Sequence, residues 1–263
     1  MSIVLLNSIT VFLYSLAAAM QLLVRTRLTT WVKLLIMGCA ALAICCHATL
    51  LHQAIDIGQG QNLSPGNMLS LASWLIVLFF MVLALAKPIW QLGILLFPIA
   101  AISIILAYLM PSTHIVTTVN DFRQLGHILL AIVTFSILAL AGLLAMLLSL
   151  QDRRLRNNSL SGWMSRLPPL ETMENLLFEM VAVGFFLLTL LLCSSFYFYH
   201  AELWRMFWSK VLIATCAWII FAVLILGRKL MGWRGRKAVY GTLFGLSLVF
   251  TLYFGSFVIK GLS

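Results

Sequence analysis

Five histidines carry most of the chemistry available to this chain: His47, His52, His114, His127 and His200. Neutral imidazole is a good ligand for iron, copper or zinc. Two of the five stand inside long apolar runs. His127 lies in Leu125-Gly126-His127-Ile128-Leu129-Leu130, near the start of a run from Gln124 to Leu150. His47 follows Cys45-Cys46, near the end of a run from Val32 to Leu51. An ionisable group at membrane depth costs free energy unless it is paired, wetted or bound to something, so both are functional candidates. Two imidazoles on different helices can hold one planar haem iron from opposite faces. The alternative for each is a hydrogen bond to a neighbouring Ser, Thr or backbone carbonyl. His52, His114 and His200 fall at interfacial positions, where solvation is enough to account for them.

The elements that must position these groups are membrane spans. The chain is 63% apolar and 9% charged, whereas soluble domains are about a quarter charged. About 20 apolar residues cross the hydrocarbon core, and eight such runs are present: Ile3–Val24, Val32–Leu51, Met68–Ala86, Ile89–Leu109, Gln124–Leu150, Leu176–Tyr199, Met206–Leu226 and Val239–Ile259. The expected fold is all-α, a polytopic bundle of eight transmembrane helices. It forms a single integral membrane domain over residues 1–263, with no separate soluble domain. Ser64-Pro65 marks the third start, as N-cap and first helical residue. The first run lacks a basic leader and a small-residue cleavage site, and is expected to be a retained span.

Basic residues set the expected orientation. Thirteen Lys and Arg fall in the loops after odd-numbered spans and four on the other side. The positive-inside rule places the thirteen in the cytoplasm. Both termini then lie outside, which is the periplasm if the cell is Gram-negative, and all five histidines belong to the outer half. His47 and His127 lie about three to five residues inside their runs, roughly 5–7 Å below the outer surface. The net charge of +10 is explained by topology and lipid headgroups, so membrane lipid is the expected partner and nucleic acid is not.

Other chemistry is poorly supported. The five cysteines all lie in apolar runs, without the Cys-x-x-Cys spacing of redox centres or the Cys-x-x-Cys-His spacing of haem attachment. Gln151–Asn175, read as the longest polar loop, has no phosphate loop, zinc spacing or triad. No carboxylate lies mid-span, which argues against a cation-driven transporter. Asp56 to Ser64 and Met110 to Arg123 read as ordinary connectors, with a lid over an outer pocket as the alternative. The segment from Phe196 to Lys210 is aromatic-dense. It reads as an interfacial belt or as a platform for a flat conjugated ligand, with Trp204, Trp208 and Lys210 as the residues able to stack or support.

The last third adds a resemblance. Trp218 leads to Gly227-Arg228 and then Gly232-Trp233-Arg234-Gly235-Arg236-Lys237-Ala238, and the final span carries Tyr253-Phe254-Gly255-Ser256. These stretches, with Leu125-x-His127-Ile128, resemble the bacterial cytochrome c assembly family of haem-handling membrane proteins. Cys46-His47-Ala48 and Gly60-Gln61-Asn62-Leu63-Ser64 are similar to an eight-span branch of it. The resemblance implies non-covalent haem b as cofactor, with His127 in place of the first external haem-ligating histidine, His47 as a replacement ligand and Arg228 as a supporting contact. It also implies cytochrome c biogenesis proteins as partners. The chain departs from the haem-lyase members. Trp208-Ser209-Lys210-Val211-Leu212-Ile213 stands where they carry a Trp-rich loop and Asp-Pro-Lys-Glu-Thr-Trp. Leu226 replaces a transmembrane histidine, and Gly261-Leu262-Ser263 stands where a second external histidine follows. The resemblance therefore implies haem binding or an accessory role more than thioether-forming synthesis. A bis-histidine electron carrier and a haem-free scaffold remain open beside it. A small-solute exporter is a weaker idea, with no inverted repeat visible.

Overall fold

The computed structural model describes residues 3–23, 30–57, 60–87, 89–112, 115–116, 122–157, 167–202 and 208–261. Eight helices carry the chain: α1 Ile3–Leu23, α2 Thr30–Ile55, α3 Pro65–Ala86, α4 Gly93–Leu109, α5 Phe122–Arg156, α6 Leu170–Glu202, α7 Trp208–Met231 and α8 Arg236–Gly261. All eight are long and apolar enough to cross a membrane. Helices satisfy their backbone groups internally, which hydrocarbon requires.

Several helices outrun their apolar runs. Hydropathy marks only the part inside hydrocarbon, while intrahelical bonds continue through the polar flanks. α2 extends to Ile55, α5 to Arg156 and α6 begins at Leu170. Residues 151–156 and 170–175 of the polar stretch Gln151–Asn175 are therefore helical. Arg153, Arg154 and Arg156 fall in the last turn of α5, where cations meet the negative end of the helix dipole. The two connectors also do more than join spans. Gln61–Asn62 (β1) pairs antiparallel with Ile115–Val116 (β2), Gln61 opposite Val116. Ser64 caps α3 as its sequence predicts, accepting from the Asn67 N–H. The Asn67 amide donates to Ala54 O at 3.2 Å and Asn62 O at 3.0 Å, tying α2, β1 and α3 together.

The helices pack as two compact units, α1–α4 with the β pair and α5–α8. Each unit closes on itself, because consecutive helices pack together and the first packs on the fourth. In the first, Tyr14, Phe80 and Phe97 are fully buried. Tyr14 stacks on Phe97 with ring centroids 6.2 Å apart, and Phe80 meets Phe97 edge-on at 5.8 Å. In the second, α8 approaches α7 through Gly241 and Gly245. A Cβ at Gly245 would stand 2.6 Å from the Phe221 ring, and one at Gly241 would collide with Leu224. Small residues four apart let helix backbones close up where lipid gives no hydrophobic drive. The five cysteines are free thiols.

Candidate functional site

The two histidines in apolar runs sit in different units and have different hydrogen-bond surroundings. His47, on α2, is fully buried. Its Nε2 lies 2.8 Å from Ser70 Oγ on α3, and its Nδ1 lies 3.4 Å from the Tyr14 hydroxyl on α1. These contacts are mutually consistent. In either tautomer one ring nitrogen donates and the other accepts, and each has a hydroxyl able to take the opposite role. Nearby, Ser73 Oγ is bonded to Ser103 Oγ at 2.6 Å and to Ser70 O at 2.8 Å, so α1 to α4 each give hydroxyl or imidazole groups to one buried polar cluster. Buried polar groups without partners are costly, and here both ring nitrogens have one.

His127, on α5, is half-buried. Its Nδ1 lies 2.9 Å from Ser194 Oγ on α6, and Ser194 Oγ donates to Leu191 O at 2.8 Å. A hydroxyl has one proton. Given to Leu191 O, it leaves only lone pairs facing His127, so Nδ1 carries the N–H and the imidazole lone pair is on Nε2. This is how ligating histidines are oriented in metal sites. One turn further, the Tyr253 hydroxyl of α8 donates to Ala131 O. One turn beyond that, Phe135 packs against Tyr253 at 5.1 Å and Phe254 at 5.6 Å, and Phe250 stacks on Phe254 at 4.8 Å. His127, Ala131 and Phe135 share one face of α5 at helical spacing, so the imidazole stands above an aromatic wall built largely by α8.

Counted from helix ends, His127 is five residues into α5 and His47 eight residues before the end of α2. Lys210 is exposed in the first turn of α7. Trp204 and His114 lie outside the described residues, as do the side chains of Trp208 and His200. His52 is exposed, with Nδ1 3.8 Å from Asp56. Arg228 lies near the other end of α7 from Lys210. Its NH1 donates to Glu174 Oε1 and its NH2 to Asn175 Oδ1, both at 3.0 Å, and its guanidinium covers the Phe178 ring. Among the described residues no group of three His, Cys, Asp or Glu could hold a bare metal ion. Sequence reasoning missed Ser194, although Ser194-Ser195 interrupts an otherwise apolar run, and it missed the hydroxyl partners of His47.

The motif Trp218 to Ala238 has a structural explanation. Trp218 stacks on Phe185 at 5.3 Å and donates to Thr189 Oγ1 at 2.8 Å. The Trp233 ring fills the place of a side chain at Gly227, and the Trp233 backbone N–H donates to Gly227 O at 3.1 Å. Gly232 and Gly235 hold left-handed backbone, φ 63° and 58°.

Residues 34–263 match the model of the cytochrome c assembly protein family. The chain belongs to that family. It is 32% identical over 234 residues to YpjD, an inner membrane protein of Escherichia coli K12, covering 88% of either chain. A cytochrome c biogenesis protein, CcsA, from Heterosigma akashiwo is 33% identical over 95 residues, 35% of this chain and 29% of that one. The CcsA of Microcystis aeruginosa is 32% identical over 93 residues, 34% of this chain and 28% of its own length. No solved structure matches the chain. This member of the cytochrome c assembly family thus shares most of its length with YpjD and about a third with the CcsA proteins.

Proposed function

We infer that this protein binds haem b non-covalently in the bacterial inner membrane and acts alongside the proteins of cytochrome c biogenesis. The observation that carries the reading is the Ser194 contact, which leaves His127 with its lone pair on Nε2. Bound there, haem would supply an iron centre for ligand exchange or electron transfer. The residues of this chain do the rest. His127 would hold the iron, Ser194 orients the imidazole, and Tyr253, Phe250 and Phe254 offer flat apolar surface to a conjugated ring. His47 is the second candidate ligand. Ligation through its Nδ1 would displace the Tyr14 hydroxyl and ligation through its Nε2 the Ser70 hydroxyl, so a bis-histidine carrier needs a rearrangement of the first unit that single ligation by His127 does not. Trp204, Trp208 and Lys210 remain candidates for lining the site. The excess of basic residues puts the Arg153 and Arg236 end in the cytoplasm and the His127 end, with both termini, in the periplasm.

The test is the absorption spectrum of the full chain, purified in mild detergent from haem-sufficient cells, with and without dithionite. A Soret band with sharp reduced α and β bands, absent from His127→Ala and retained in His47→Ala, is expected. A spectrum that stays featureless after adding haem would sink the reading and leave a haem-free scaffold.

A further inference from the structure

At the end of the second unit remote from His127, the last turns of α5 and the first turn of α8 enclose a cavity of about 270 Å³. Arg153, Arg236, Ser149 and Tyr240 line it, and so does Asp152. The carboxylate of Asp152 is paired with Arg156, both oxygens lying 3.1–3.2 Å from Arg156 Nε. Neither Arg153 nor Arg236 has a hydrogen-bond or ion-pair partner among the described residues. Two guanidinium groups without partners of their own, beside a hydroxyl and a phenol, outnumber the one carboxylate at this small cavity, which is already paired with Arg156. Guanidinium pairs bidentately with phosphate oxygens.

We propose that this cavity binds a phosphate-bearing anion, held by Arg153 and Arg236, and that its source is the headgroup of an anionic phospholipid. The volume falls just below the roughly 300–1,000 Å³ of pockets that enclose whole organic ligands. It suits a headgroup and is too small for a macrocycle. The cavity lies at the polar end of two spanning helices, the level at which headgroups sit. On the membrane side of it, Tyr240 and Phe244 of α8 and Met146 and Leu150 of α5 are exposed apolar surface along which acyl chains can run. Basic pockets between spanning helices are the usual form of anionic-lipid sites. The inference is independent of haem, since none of these residues lies at the His127 end.

The test uses the full-length protein in neutral detergent at low salt, titrated with phosphatidylglycerol, phosphatidylcholine or inorganic phosphate, and followed by thermal unfolding and native mass spectrometry. Phosphatidylglycerol is expected to raise Tm and to be retained in the mass spectrum, and phosphatidylcholine to do neither. The double variant Arg153→Gln with Arg236→Gln should bind about 30-fold more weakly, at about 1 kcal/mol for each basic residue. A control, Lys229→Gln with Arg154→Gln, removes the same charge from the same end of the unit without touching the cavity, and should bind normally. Stabilisation by inorganic phosphate alone, with the same dependence on Arg153 and Arg236, would support the site and assign it to a soluble phosphate compound. Equal responses to the two lipids, or a phosphatidylglycerol response unchanged in the double variant or equally lost in the control, would overturn it.

Discussion

Ser194 has one proton and two neighbours able to take it, and that choice separates the two histidines. With the Ser194 proton on Leu191 O, His127 donates through Nδ1 and keeps its lone pair on Nε2. Ser194→Ala removes the orienting acceptor without removing the ligand. Haem affinity, read by titration of the Soret band, is then expected to fall about 10- to 100-fold, the usual cost of losing a partner behind a ligand. His127→Ala should abolish the band. An unchanged affinity in Ser194→Ala would mean that the imidazole is positioned by something else. His47 has the opposite character. Tyr14 and Ser70 take both its nitrogens inside the first unit, so its first-order role is to satisfy a buried cluster. Tyr14→Phe and Ser70→Ala should each cost about 1 kcal/mol in thermal or denaturant unfolding, with the haem spectrum unmoved. Nothing in the spacing of the sequence distinguished the two residues. Both stood in apolar runs, and only the helices packed against them supply the difference.

The turn between α7 and α8 shows what an element needs beyond its own residues. Gly232-Trp233-Arg234-Gly235 reads in the sequence as a tight basic turn and headgroup anchor. In the fold it is held from α6. Glu174 Oε1 accepts from Arg228 NH1 at 3.0 Å and from the Gly235 N–H at 3.2 Å, and Arg228 also donates to Trp233 O at 3.3 Å. One carboxylate thus pins the end of α7 and the start of α8 together. The motif itself was legible, because left-handed turns call for glycine. The carboxylate was not, being 54 residues from its arginine. Removing one member of a buried ion pair costs about 3–5 kcal/mol. Here the side chains keep 20% and 13% of their exposure, so Glu174→Ala is expected to cost about 1–3 kcal/mol, read as a lower Tm of the purified protein. Arg228→Lys should cost nearly as much, because a single ammonium cannot reach Glu174, Asn175 and Trp233 O from one fixed fork. If both variants melt like wild type, the turn is held by its glycines and the Trp233 ring alone.

At the scale of the molecule, all eight spans were visible as apolar runs, and what was hidden was how they associate. Lipid tails are as apolar as Leu, so a buried helix face and a lipid-facing one look alike in sequence. The closure of α1–α4 and of α5–α8 on themselves therefore could not be read from periodicity. The side of the membrane each end faces was argued from charge alone, thirteen basic residues against four, and it decides whether a haem at His127 would face the compartment where cytochromes c mature. Asn157, just past the basic end of α5, and Ser112, beyond α4, report the two faces. No span lies between Ser112 and His127, so both belong to one side. In a variant with the five cysteines replaced, Ser112→Cys should react with a membrane-impermeant maleimide in cells with a permeabilised outer membrane. Asn157→Cys should react only after lysis. The five native thiols are expected to stay unlabelled in intact membranes, because all lie within spanning helices, out of reach of a membrane-impermeant reagent. Labelling of Asn157→Cys in intact cells with Ser112→Cys protected would invert the chain. His127 would then face the cytoplasm, and any haem it holds would be received from, or delivered to, that side.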